Sequence, residues 1–358
     1  MRVLYHITRP DNMYAMRLMA EGYRDAFRDL GHTFAFVSIR DNFSTHLRAF
    51  SPDLLVTSLH LLPWIYRHRG VRQIRDERRR GMVVGCYSPP WTVPGKGMHS
   101  LKNRPDVVRL ARRGTFPDFF YSFFRDTTME EVVERTGIPY LYVPEAANRL
   151  RHFPGSPETS KKCDAVFVGN FLRHKRPVFR NYLDPLRKDF DARVIGHDWT
   201  WWDRKLGILQ STSQALGLRV FDSLRKLGPP PEELRAWYAS ATVCLNLHSE
   251  SQRELGEPIN SRTFHIAACG GCQVCDDVAD LREHFDDTEI AVARDPKDFA
   301  EALAYFRAHP EQAREMGRRA SRKTLAEHTF HHRAQTFLSM VEEIRSRRRN
   351  DPSLVPDA

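Results

Sequence analysis

The chain has 358 residues, of which 41% are hydrophobic and 28% charged, and its formal net charge is +10. That length accommodates two ordinary domains, and the lack of any run of about 18 apolar residues excludes a spanning helix. The excess of cations suits a phosphate-rich ligand, an anionic membrane surface or nucleic acid, and selects none of them.

Residues 2–7 are a short apolar run, with Arg9 and Asp11 close behind. This reads as a first strand and not as a signal peptide. Six cysteines without such a leader point to a reducing, cytoplasmic setting. A helix is expected over 13–30, burying Met16, Leu18, Met19, Tyr23, Phe27 and Leu30 and ending at Gly31. Further strands are expected at 33–39, 54–59, 82–87, 119–124 and 140–143. A helix from Leu62 carries Arg67, Arg69, Arg72, Arg75, Arg78, Arg79 and Arg80, and another runs through Glu130, Val133 and Thr136. Strands separated by helical periodicity imply a parallel, doubly wound sheet. The Pro- and Gly-rich segment 88–100 follows a strand's C-terminal end, where ligands of open α/β sheets bind, and loops of that length are more often functional than idle.

Pro154, Gly155 and Pro157 mark a linker. A second alternation follows, with strands at 163–168, 192–195, 242–248, 272–276 and 289–293. Helices are expected at 177–190, from 231, from 260, at 280–285, at 296–309 and, uninterrupted, over 311–349. Residues 199–227 fit no single pattern, and Trp199, Trp201 and Trp202 there suit a core, an interface or a stacking surface equally. The expected domains are 1–150, a linker over 151–160, 161–330, and a C-terminal helix with a basic tail over 331–358. Packing of that helix back on the first domain is one arrangement for it.

The chemistry concentrates in residues 256–271, GEPINSRTFHIAACGG. Asn260 or Ser261 caps a helix that the Gly270-Gly271 pair ends. A strand precedes it, so the helix N-terminus opens at a strand's C-terminal end and favours an anion. Arg262 and His265, three apart, share a helix face, and Glu257 stands just ahead. A cation, a carboxylate and first-turn amides together suit a phosphorylated, hydroxylated ligand; solvated charges at a helix cap are the plain alternative.

Arg173, His174, Lys175 and Arg176 follow Gly169-Asn170 on a strand-to-helix loop. They form either a diphosphate clamp or a solvated basic turn. No Gly-x-Gly-x-x-Gly and no P-loop pattern occurs, which counts against a dinucleotide oxidoreductase and a P-loop enzyme. Cys269, Cys272 and Cys275 are spaced by three, but positions three apart on a strand point to opposite faces and no fourth zinc ligand is at hand. His328 and His332 share a helix face without the glutamate of a metalloprotease motif. No Asp-x-Asp stands at a strand end, so neither a metal nor a cofactor is required by the sequence.

Asn246-Leu247-His248, residues 260–271, Asp276, Asp280-Leu281, residues 291–296 and residues 327–333 resemble the C-terminal half of GT-B-type glycosyltransferases, most of all the spore-maturation-protein-like branch. Tyr142-Val143-Pro144-Glu145-Ala146-Ala147 is similar to the close of that family's first domain. The resemblance implies a GT-B fold of two Rossmann-like domains facing a central cleft, with a nucleotide-sugar donor on the second and the acceptor on the first. It places Glu257 against the donor sugar. His265 stands where retaining relatives have a ribose-binding glutamate, and an imidazole can still bond a ribose hydroxyl. Arg173 and Lys175, beside Gly169 and Asn170, fall at the relatives' diphosphate-binding cations, and Asn260, Ser261 and Thr263 form the anion-binding helix turn. Many relatives carry an acidic residue or histidine after the fourth strand; here Ser88-Pro89-Pro90 stand there. Should the reaction invert, His6, Asp11 or His99 would have to supply the base.

The expected activity is therefore metal-independent, retaining transfer of a sugar from a nucleotide sugar to an acceptor in polysaccharide biosynthesis. The leaving phosphate would be stabilised by preorganised donors. Arg262→Ala and Glu257→Ala are expected to abolish transfer and leave the fold intact. Competing readings are a sugar-nucleotide epimerase or hydrolase, and a non-enzymatic polyanion or nucleic-acid binder. The residues between Arg67 and Arg80 offer a contact to an anionic membrane surface. The sugar, base, acceptor and oligomeric state are not legible.

Overall fold

The structure is a computed structural model that describes residues 1–8, 15–67, 69–88, 104–114, 116–216, 218, 228–254 and 258–351. The chain divides into two compact units, Met1–Ala146 with Phe330–Ala358, and Ala147–Thr329.

In the first unit the elements run β1 (Arg2–Ile7), α1 (Ala15–Asp29), β2 (Thr33–Ser38), α2 (Phe43–Phe50), β3 (Leu54–Ser58), α3 (Leu62–Arg67), α4 (Gly70–Arg79), β4 (Val83–Tyr87), α5 (Pro105–Arg112), β5 (Phe119–Ser122), α6 (Asp126–Thr136) and β6 (Tyr140–Tyr142). The strands form one parallel sheet in the order β2-β1-β3-β4-β5-β6. Both faces are covered, which is why the strands read as apolar runs and not as alternating patterns. Val3, Tyr5, Ile7 and Phe119 pack on one side with Phe27, Phe330 and Phe337. Leu4, Leu55, Val84 and Phe120 pack on the other with Phe43, Leu47 and Ile74.

The second unit holds β7 (Cys163–Val168), α7 (Arg176–Val178), α8 (Asp184–Asp189), β8 (Ala192–Ile195), α9 (Trp201–Ala215), α10 (Pro231–Ser240), β9 (Ala241–Asn246), α11 (Glu250–Glu254), α12 (Ser261–Ala268), β10 (Gln273–Asp276), β11 (Ala291–Ala293), α13 (Pro296–Ala308) and α14 (Pro310–Glu327). Its parallel sheet has the order β11-β10-β9-β7-β8. The order reverses between β7 and β9, and in such sheets ligands bind outside the strand C-termini at that point. The last helix, α15 (Phe330–Asn350), belongs to the first unit and packs on α1.

Several expectations change. The buried face of α1 is Ala20, Tyr23, Ala26 and Phe27, while Met16 and Leu18 are exposed at 43% and 39%. Helices α2 and α5 carried too few periodic positions to be expected. The stretch 311–349 is two helices. Proline does not break it; instead Ala147 N–H donates to the His328 carbonyl, and Ala147 pairs with Thr329 in a parallel bridge. His328 therefore packs against Phe264 and His284; it lies between α14 and α15, whereas His332 lies on α15, so the two do not share a helix face. Helix α9 accounts for the first part of the ambiguous segment, of which residues 217 and 219–227 lie outside the described ones: Trp199 packs against Phe167 and Phe179, whereas Trp201 and Trp202 are exposed.

Some of the basic residues are tied into the fold, while Arg67, Arg69, Arg72, Arg79 and Arg80 are exposed. Arg69 has φ 53 and breaks the arginine-rich helix between α3 and α4. Arg78 and, from α15, Arg348 both donate to the buried carboxylate of Asp118. Arg79 pairs with Asp76 and Arg80 with Glu77. Arg345 bonds Asp53, and Arg347 bonds Glu343.

Burial raises Glu145 to about 7, although Arg333 pulls in the other direction. The carboxyl is thus held neutral in the fold while the unfolded chain ionises near 4.5. The stability it contributes is lost as pH rises from about 4.5 through about 7. Glu145→Gln is accordingly expected to stabilise the protein at pH 8 by on the order of 2 kcal/mol and to leave it unchanged at pH 4. Chemical denaturation at the two pH values checks this, and an equal effect at both would contradict it.

Candidate functional site

The site is built on the C-terminal ends of β7, β9 and β10. Helix α12 starts where the sequence places it: the Asn260 side chain accepts from Thr263 N–H, and Gly270, with φ +78, closes the other end. Below the helix, Asn246 donates through Nδ2 to Thr263 Oγ1 at 2.8 Å and accepts through Oδ1 from Asn260 Nδ2 at 3.0 Å. The helix mouth is thereby tied to the end of β9.

Arg262 reaches across to the next strand. Its Nε donates to the Val168 carbonyl at 2.6 Å and Nη1 to Asn246 Oδ1 at 3.2 Å, with the guanidinium 4.6 Å from the centroid of the Phe167 ring. Gly169 has no side chain because a Cβ there would stand 2.5 Å from Arg262 Nη2. The same loop is locked from β8, since Trp199 Nε1 donates to the Gly169 carbonyl at 2.7 Å and Asn170 Oδ1 accepts from His197 N–H at 2.9 Å. Lys175 is buried, and its Nζ donates to the Leu247 carbonyl at 3.3 Å, so it bridges the loops after β7 and β9. Arg173 is exposed, with no hydrogen-bond or ion-pair partner among the described residues.

Sequence reasoning missed a further pair. His248, fully enclosed after β9, donates its backbone N–H to both oxygens of Asp276 at 3.0 Å, and its Nδ1 lies 2.7 Å from Oδ1. Arg253 Nε is 3.6 Å from Asp276 Oδ2, and Cys275 Sγ is 3.7 Å from His248 Nδ1. The signal was present as a histidine and an aspartate ending adjacent strands, but their pairing depends on strand order.

Burial lowers Lys175 to about 8, and Arg262 and Arg253 add to that while Asp276 opposes it. Burial likewise pulls Arg262 below its ordinary value. Burial also works against ionised Asp276, but the hydrogen bonds from His248 outweigh it and hold the carboxyl below its usual range. Three cations thus surround one carboxylate, leaving an excess of two positive charges at the switch point.

The remaining expected residues are placed differently. The His265 ring stacks on His152 with centroids 4.0 Å apart, and burial pushes it down to about 3, so it is neutral. His6 is buried in β1 with Nδ1 3.1 Å from Thr57 Oγ1, and burial lowers it to about 3. Ser88 is fully buried, its N–H donating to the Tyr121 carbonyl at 3.0 Å. Ser261 is half-buried in the first turn of α12. Glu257, Asp11 and His99 lie outside the described residues. The cysteines are all unpaired. No helix among the described residues is long and apolar enough to cross a membrane.

Each unit is built on a parallel sheet, and in the second the cation cluster stands where the strand order reverses. Residues 173–339 match the family described as glycosyl transferase-like. The spore protein CgeB of Bacillus subtilis (strain 168) is 26% identical over 197 residues, which cover 53% of this chain and 57% of CgeB, so the match spans little more than half of that relative. Among solved structures, sucrose-phosphate synthase from Thermosynechococcus elongatus aligns with TM-score 0.62 and 12% identity, over 97% of this chain and 100% of its own. An alpha-glucosyltransferase in complex with UDP and a 13-mer DNA gives 0.62 and 13%, over 97% and 99%. Anabaena HepE in complex with UDP and glucose gives 0.60 and 9%, over 96% and 100%. The chain has the fold of GT-B glycosyltransferases and is similar to CgeB over about half its length.

Proposed function

We propose that the protein transfers a sugar from a nucleoside-diphosphate sugar, with the diphosphate held in the second unit. The carrying observation is the cation cluster: Lys175 and Arg262 converge on the Leu247 carbonyl at 3.3 and 3.5 Å, and their excess positive charge matches a diphosphate bridge. In the first turn of α12 the Thr263 N–H is taken by Asn260, and the remaining first-turn amides, which have no acceptor within the helix, add donors on the same side. UDP complexes of HepE and the alpha-glucosyltransferase support a nucleotide-sugar donor by analogy of fold.

Bond cleavage leaves a negative charge on the departing phosphate, and these fixed donors stabilise it without reorganising. That arrangement supports a metal-independent reaction, because Lys175 and Arg262 supply positive charge for the departing phosphate. Glu257 is assigned to the donor sugar by its place ahead of α12, and a retaining course is the reading adopted. Incubation with UDP-, GDP-, dTDP- and CDP-sugars, following nucleoside diphosphate release with and without candidate acceptor glycans, tests it. Release that depends on an acceptor and is lost in Lys175→Ala is expected; no release from any donor overturns the reading.

The lowered Lys175 supplies a pH signature. An anion beside Nζ favours the charged amine, so nucleoside diphosphate affinity is expected to be greatest below pH 8 and to weaken above it, by at most about tenfold per pH unit for one coupled proton. The ligand-free protein shows the opposite sign. Its fold binds fewer protons than the unfolded chain between about 8 and 10.5, so its stability rises with pH in that window. Calorimetric titration between pH 7 and 9.5 reads the first effect, and an affinity flat across pH 8 would contradict it.

A further inference from the structure

Asp276 ends β10 and His248 lies two residues beyond the end of the adjacent parallel strand β9, where Cys275 pairs in register with Asn246. The carboxylate accepts the His248 backbone N–H and lies 2.7 Å from Nδ1, so Nδ1 carries the ring hydrogen. Nε2 is then the open position. It is enclosed and has no hydrogen-bond partner. The charged groups that face the ring are Lys175 from the loop after β7, Arg262 from α12, Asp276 from β10 and, through Asp276, Arg253 from α11. Cys275, also on β10, is kept a neutral thiol by burial. Burial keeps the ring neutral, Lys175 and Arg262 add to that and Asp276 opposes it, so Nε2 presents a bare lone pair that no donor meets.

That arrangement is poorly satisfied in the free protein and changes when a dianion arrives. A bound diphosphate offsets the charge of Lys175 and Arg262, the two cations that oppose protonation of the ring, and leaves Asp276 to favour it. We propose that His248 takes up a proton when a nucleoside diphosphate occupies the cation cluster, that its Nε2–H then donates to a phosphate oxygen, and that Asp276 is the positioning carboxylate. The inference rests on the diphosphate reading above and adds to it a residue that answers the charge of the leaving group. As the sugar–phosphate bond breaks, its electron pair stays on the phosphate oxygen and adds one negative charge. A solvent proton held on His248 offsets that charge without being transferred to the sugar. Departure of the nucleotide returns the proton to solvent.

The test is nitrogen-15 NMR of the full chain labelled at histidine, at pH 7.5, free and saturated with UDP, with GDP, dTDP and CDP as further probes. The His248 signals are assigned by their loss in His248→Asn. The expected result is a neutral Nδ1–H tautomer in the free protein and an imidazolium in the complex. Binding with His248 still neutral overturns the inference and leaves the diphosphate reading standing; failure of every nucleotide to bind overturns both. His248→Gln keeps an amide donor near the Nε2 position, so it should bind UDP while calorimetry in buffers of different ionisation enthalpy shows less proton uptake than wild type. Undiminished uptake in that variant also counts against the proposal. Asp276→Asn removes the carboxylate that stabilises the imidazolium and should reduce the uptake; uptake equal to wild type would remove Asp276 from the role.

Discussion

Arg262→Ala is expected to lower the stability of the protein by about 3–5 kcal/mol and to abolish nucleoside diphosphate binding together. The guanidinium holds the Val168 carbonyl at 2.6 Å, Asn246 Oδ1 at 3.2 Å and the Leu247 carbonyl at 3.5 Å, and it covers the Phe167 ring. Truncation removes the side-chain donor to the Val168 carbonyl and one of two donors each to Asn246 Oδ1 and the Leu247 carbonyl, and it takes away one of the cations around Asp276. The sequence suggested a residue whose loss would spare the fold; these contacts make it a strut of the second unit as well as a cation for the ligand. Arg262→Lys should fall between, since an ammonium keeps the charge but cannot fork to two strands. Urea denaturation and nucleotide titration of both variants check this, and an Arg262→Ala protein as stable as wild type would contradict it.

Gly196→Ala is expected to cost about 2–4 kcal/mol and to weaken nucleotide binding by at least about tenfold. Gly196 follows β8 with φ +146, a backbone region that other residues rarely enter. An added Cβ would run into the Gly169 carbonyl oxygen, which is backbone and cannot swing aside. Trp199 Nε1 is already bonded to that carbonyl, and Gly169 N–H donates to the Ile195 carbonyl at 2.8 Å. Displacement of Gly169 therefore spreads directly to Arg262 and Asn170. A thermal scan and a UDP titration read the two effects. Loss of stability with unchanged affinity would show that the glycine loop does not carry the ligand.

The fold was largely legible because its signals are local. Strand β7 follows its apolar run over Cys163–Val168, and α12 begins at the expected Asn260 cap. Helix α2 was missed although Asn42 caps it, because eight residues show little periodicity. The break at His328–Thr329 was hidden because backbone pairing with Ala147 causes it, 182 positions away in the chain. The site was legible in part for the same reason. Arg262 and Lys175 could be named from helix and loop position. Their burial, and the roles of Val168 and Leu247 as their acceptors, come from contacts spanning 94 and 72 positions. His265 shares a helix with Arg262, but its stacking on His152 depends on a residue 113 positions earlier. The pairing of His248 with Asp276 follows from β9 and β10 being neighbours, which spacing alone does not reveal.

Thermal unfolding in the presence of UDP, GDP, dTDP, CDP and NAD, compared between wild type and Lys175→Ala, tests the central claim most directly. At about 100 times its Kd a ligand adds roughly 2.7 kcal/mol of stability. A rise with at least one nucleoside diphosphate, none with NAD, and loss of that rise in Lys175→Ala is the predicted result. No rise with any nucleoside diphosphate, or one that Lys175→Ala leaves intact, would contradict a diphosphate site at the end of β7 and β9.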